Sequence, residues 1–152
     1  MLIDILRQLF ARDLNRLHQE IELYHEEAHI WHVEKNITNS AGNLTLHLVG
    51  NLKTYIGAQL GGVAYARDRD QEFALRSVPR AELLRQVAET RDVVDHALSR
   101  MEARALAAEY PLLVFETTTS TEYLLVHLAT HLAYHLGQIT YHRRLLNGPG
   151  AA

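Results

Sequence analysis

The stretch "HLATHLAYHLGQI", residues 127–139, sets His127, His131 and His135 four residues apart in an otherwise apolar segment. At 100° per residue, Leu124, Leu128, His131, His135, Ile139, His142 and Leu146 share one helical stripe, so His131 and His135 take core-like positions. Ten histidines in 152 residues give about 0.6 pairs four apart by chance, and three occur, at 25 with 29, 127 with 131 and 131 with 135. Burying an imidazole costs hydration unless its nitrogens are satisfied, and one divalent cation satisfies several at once. Metal ligation by His131 and His135 is the expectation. His127, rotated towards the stripe's margin, is expected beside the ion or in packing.

Two ligands hold an ion weakly, so a third is expected from another helix. His47 in "NLTLHLVGN" is the best placed, at the edge of the apolar face of Leu44, Leu48, Leu52 and Tyr55. Its rivals are His18, His25, His29, His32, His96 and His142. His18 and His96 fall on polar faces. His142 lies about 10 Å beyond His135 at 1.5 Å rise per residue. Asn51, one turn from His47, and Gln138, beside the pair, are expected to orient the ligands. Tyr55 and Tyr134 are candidates for a pocket wall. Arg67, Asp68, Arg69 and Asp70 read as a solvated charge run or a mouth over the pocket.

Two other metal patterns are weaker. "HEEAH" at 25–29 matches the H-E-x-x-H motif, in which two histidines bind zinc and the glutamate acts as base, but it sits at a ragged helix end. The E-x-x-H spacings at 22–25 and 26–29 suggest a ferritin-like di-iron bundle. Such a centre needs inward carboxylates from all four helices, and the last helix has none after Glu122.

The elements that must position these residues follow from apolar spacing. Helices are expected at about 2–27, 41–61, 79–104 and 121–147, forming one four-helix-bundle domain over residues 1–152. Asn39 or Ser40 is placed to cap the second helix, Ser77 and Pro79 to open the third, and Thr119 or Ser120 to cap the fourth, with Glu122 completing a capping box. "NGPG" at 147–150 stops the chain's last helix. "YARDRDQEFALRS" reads as a charged loop and "AAEYPLLVFETTTS" as extended. No repeat is visible. The absence of alternating strand patterns points to an all-α bundle.

Composition narrows the chemistry. Fifteen basic residues against 18 acidic ones leave no electrostatic footprint for nucleic acid or an anionic membrane. Without cysteine, thiolate sites and disulfides are excluded, and a nucleophilic thiol must arrive with a substrate or cofactor. The charged N-terminal segment reads as neither leader nor membrane span, so a cytoplasmic protein is expected. Between Tyr123 and His142 no Asp, Glu, Lys or Arg occurs. Opposite the histidines this helix carries Val126, Ala129, Ala133 and Gly137, a face that a second copy of the chain is expected to cover, making a homodimer, unless the N-terminal helix or the 105–120 segment does.

"NSAGNLTLHLVGNLKTYIGAQLGG", the following "YARDRDQEFA" and "HLAYHLGQITY" together resemble the DinB-like (DinB/YfiT) superfamily of metal-dependent enzymes, within it a branch described only as a domain of unknown function. The resemblance runs from about residue 2 to 147. It implies a four-helix bundle of unusual connection order, with a divalent ion on His47, His131 and His135. Characterised relatives include thiol-dependent transferases and isomerases that use mycothiol, bacillithiol or glutathione, and many form dimers. The sequence shows no recognisable thiol-cofactor signature.

Three neutral imidazoles leave a coordination position open, the pattern of a catalytic rather than a closed zinc site. An ion there lowers the pKa of a water or thiol that it binds. Imidazole suits zinc or nickel first, with iron or manganese next and copper also compatible. The expected function is therefore a metal-dependent transferase or hydrolase, with no catalytic acid or base assigned. The alternative is a non-catalytic protein whose ion is structural, sensed or stored.

Overall fold

The computed structural model describes residues 1–150. The apolar stripes fold into α1 (Leu2–Glu22), α2 (Ala41–Leu52, continuing as a π-helical turn at Lys53–Ala58), a short α3 (Arg69–Ala74), α4 (Arg80–Ser99) and α5 (Thr121–Asn147). The architecture is the expected all-α bundle. Helix α1 buries Leu6, Phe10, Leu14, Leu17 and Ile21 and packs against α4 and α5. Arg143 of α5 reaches Glu20 of α1 inside that contact, and both side chains are nearly inaccessible. Burial alone would raise the Glu20 pKa, but the hydrogen bonds from Arg143 and Arg16 outweigh it and hold the carboxyl below its ordinary range.

Helix α2 is the buried element. All twelve residues from Ala41 to Leu52 are buried, because α4, α5 and α3 pack around it. A helix enclosed on every side must satisfy its polar side chains internally. Ser40 caps it by accepting the Asn43 N–H, Thr45 donates to the Ala41 carbonyl, and Asn43 donates to the carbonyls of Glu72 and Leu75. Those last bonds clamp α3 over α2. Gly42 allows a second close approach: a Cβ there would lie 2.7 Å from the Trp31 ring.

Several local expectations change. Helix α1 stops at Glu22 rather than 27, and "HEEAH" straddles a turn and a 3-10 segment at Glu27–Trp31. A 3-10 turn does not repeat at i+4, so His25 and His29 are not presented on one α-helical face. The charged segment after Gly62 is a cover rather than a plain loop: Asp68 caps α3 by accepting the Gln71 N–H, and Glu72 is buried. Helix α4 ends at Ser99, followed by a 3-10 turn at Ala103–Ala107. The 105–120 segment forms no strand and pairs only through one antiparallel bridge, Glu109 with Ser120. At the start of α5 the cap is Ser120, which accepts the Tyr123 N–H. Gly148, at φ 79°, ends α5 in the left-handed region that glycine tolerates.

Candidate metal centre

His47 projects from the enclosed α2 towards the edge of α5 that carries His131 and His135, one turn apart. One nitrogen from each of the three lies within 4.8 Å of the other two. His47 Nε2 and His131 Nε2 approach to 3.3 Å, and the His131 and His135 ring centroids are 4.6 Å apart. His47 is buried, while His131 and His135 are half-buried.

Two of the three rings are oriented by hydrogen bonds. His47 Nδ1 lies 3.1 Å from Glu72 Oε1, an acceptor nearer than the competing donor Arg67 Nη2 at 3.4 Å, so its proton sits on Nδ1 and the Nε2 lone pair faces His131. His135 Nδ1 donates to Gln138 Oε1 at 2.7 Å, which likewise frees its Nε2. His131 Nδ1 is buried without a hydrogen-bond partner. Burial, then repulsion from His135, His47 and His127, pushes the His131 pKa down to about 4. Burial also lowers the His135 pKa, against the opposing bond to Gln138. Both shifts keep donor lone pairs available at neutral pH.

Glu72 is the residue that sequence reasoning missed. Its carboxylate is gripped by Arg67 through Nε to Oε2 at 2.8 Å and Nη2 to Oε1 at 2.9 Å. Burial opposes ionisation, but the bonds from His47 and Arg67 win and hold its pKa below the ordinary glutamate value. Room for this carboxylate comes from Gly50, where a Cβ would stand 1.9 Å from Glu72 Oε2. A glycine three residues after His47 in a buried apolar helix was the available signal, since glycine weakens a helix interior unless something needs its space.

The remaining expected residues divide plainly. His127 stacks on His131 with centroids 6.0 Å apart and meets Phe115 edge-on at 4.8 Å, but it is outside the three-nitrogen group. Asn51 is buried with Oδ1 unpartnered. Gln138 is exposed and bonded to His135. Tyr55 lies beneath the Arg67 guanidinium, 5.8 Å from its ring centroid, whereas Tyr134 stands 5.3 Å from the His135 ring. His142 belongs to a separate arrangement, in which Nδ1 meets the Tyr24 hydroxyl at 2.6 Å and Nε2 meets the His32 carbonyl at 2.9 Å. His96 is exposed, and His18 lies 3.4 Å from Glu22.

An all-α bundle with a buried histidine of α2 facing an H-x-x-x-H pair on α5 defines a class of helical proteins with a candidate metal centre. The family model described as "Protein of unknown function (DUF1572)" matches residues 3–150, and the chain belongs to that family, a DinB/YfiT-like one. No curated protein matches the chain.

Proposed function

We propose that the protein is a divalent-metal-dependent enzyme, a thiol-dependent transferase or a hydrolase, whose ion is held by His47, His131 and His135 with one position left for a reactant. The 3.3 Å approach of His47 Nε2 to His131 Nε2 carries this reading. With the His47 proton committed to Glu72, that approach sets an imidazole lone pair against another imidazole nitrogen unless a proton or a cation lies between them. Such a contact persists where a cation occupies it. An ion bound there supplies Lewis acidity and a lowered pKa for a coordinated water or thiol.

The chain's own groups set what the site does. Glu72 holds the His47 tautomer and places a negative charge one bond removed from the donors, and Arg67 keeps that carboxylate ionised and fixed. Gln138 holds the His135 tautomer. Half-burial of His131 and His135 admits a small reactant. The sequence holds no cysteine, so a transferred thiol comes with the substrate or a low-molecular-weight cofactor.

Zinc or nickel titrated into metal-free protein is expected to bind at one ion per chain, raising unfolding stability by about 4 kcal/mol at a thousandfold excess over the dissociation constant. Chelation is expected to reverse the shift and leave the helices folded. Loss of helicity on chelation would instead assign the ion a structural role, and absence of binding would end the proposal. The metal-free chain should also weaken on acidification. The folded-state pKa of His131 is lowered to about 4 from 6.5, so the unfolded chain takes up more protons between those values. The lowered His142 acts in the same direction. The histidine contribution therefore falls from about pH 6.5 towards 4. Below that, protonation of Glu20 and Glu72, whose folded pKa values are held below the ordinary range, continues the loss. Zinc, which needs neutral imidazoles, loses its effect between about pH 6.5 and 4.

We further infer that two chains pair across α5. Val126, Ala133 and Gly137 are exposed and Ala129 half-buried, so neither α1 nor the 105–120 segment covers this face. A Cβ at Gly137 would meet nothing within 4 Å. The single chain thus gains nothing from a glycine that costs helix stability by about 1 kcal/mol relative to alanine, whereas close helix approach uses it. Light scattering is expected to give a dimer for the native protein and a monomer of unchanged helicity for Gly137→Glu. A native monomer at high concentration would defeat the pairing.

A further inference from the structure

Beside the histidine cluster runs a groove of about 620 Å³ between the 34–39 segment, the start of α2 and the C-terminal half of α5. His135 and Gln138 line it, so one ligand candidate belongs to both the cluster and the groove. Ala41, Leu44 and Ile139 are its buried lining; Ile37 and Leu145 are exposed lining, Leu145 at 76 %. Exposed apolar surface gathered in a concavity next to a reactive centre is surface that a ligand removes from water.

The charged groups are few. Glu34 and Lys35 are the only Asp, Glu, Lys or Arg residues in the lining, and Glu34 lies 3.2 Å from His32 Nε2. A thiol cofactor built of carboxylates needs several charged partners; the other polar lining residues, among them Asn36, Thr38, Asn39 and Gln138, are uncharged, and most of the groove surface is apolar. Its size suits one small molecule.

Resting on the metal-dependent reading above, the geometry points to this groove as the binding site for the apolar body of the substrate, an acyl or alkyl chain whose polar head reaches the ion at the His135 end. The thiol, where one takes part, occupies other surface. The substrate class is then an apolar small molecule with a single ion-binding head, rather than a charged metabolite.

Straight-chain hydroxamates from acetyl to decanoyl test this, because head and chain report separately. With zinc-loaded protein and isothermal titration calorimetry, affinity is expected to rise about two- to fourfold per methylene, then level as the chain outgrows the groove. In the double variant Ile37→Asn with Leu145→Gln, both at exposed positions, the slope is expected to flatten while acetohydroxamate binds as before. Equal affinity along the series in the native protein, with acetohydroxamate bound, overturns the groove and leaves the metal reading standing. An unchanged slope in the double variant also overturns it. A protein that retains no zinc and binds no acetohydroxamate overturns the metal reading, and this inference with it.

Discussion

His131→Ala is expected to abolish the zinc-dependent rise in unfolding temperature while leaving the metal-free protein as stable as the native chain, or more so. Zinc affinity should fall on the order of 10³-fold, beyond the 10- to 100-fold typical of groups that merely orient a ligand. Two imidazoles remain, and one of them, His135, sits at the half-exposed margin. The metal-free half of the result separates this site from ordinary packing. Without an ion, His131 brings a buried Nδ1 that lacks a partner, offset only by the one contact its Nε2 makes with His47. Alanine removes the unpartnered nitrogen and is the better helix former. A large drop in metal-free stability would show that the imidazole serves packing, and unchanged zinc stoichiometry would show that it is no ligand. Metal analysis and chemical denaturation on the same samples decide between these.

The all-α class is legible in the sequence because the long helices bury stripes spaced at threes and fours, as Leu6, Phe10, Leu14, Leu17 and Ile21 do in α1. The meeting of His131 with His135 is legible for the same reason, since i to i+4 spacing is local. His47 joins them across 84 positions, and nothing local sets that contact. The bundle's connection order sets it; the apolar face of α2 made His47 the best-placed candidate, and the family resemblance pointed to the same residue. Glu72 lies beyond periodic reasoning altogether. Its segment is dominated by charge, "ARDRDQEF", and looks like solvent-facing loop until Asn43 binds its carbonyl and Arg67 neutralises its carboxylate. The 3-10 turn at Glu27–Trp31 was hidden differently, because the apolar spacing of α1 continues past Glu22 through Tyr24 although the backbone does not.

Gly50→Ala places two rules of protein chemistry in direct opposition. Helix propensity alone predicts a gain of about 1 kcal/mol from replacing a glycine inside a helix by alanine. Sterics predict the reverse, because the new methyl would stand 1.9 Å from Glu72 Oε2, 2.7 Å from its Cδ and 3.3 Å from Arg67 Nε. Helix α2 is enclosed along its length and α3 is clamped to it by Asn43, so neither backbone moves away at small cost. The carboxylate must leave instead, which separates it from His47 and disturbs the Arg67 pair. Disrupting a buried charged contact of this kind costs about 3 kcal/mol, so the variant should be destabilised by about 2 kcal/mol after the propensity gain. Zinc affinity should fall by about 10- to 100-fold, since His47 loses the acceptor that fixes its tautomer. Glu72→Ala should show the same affinity loss. In that background Gly50→Ala should cost nothing further and recover its propensity gain, the non-additivity expected of two changes acting through one contact. Additive losses in the double variant, or a Gly50→Ala protein more stable than the native chain with undiminished zinc affinity, would show that Glu72 does not hold His47 in place.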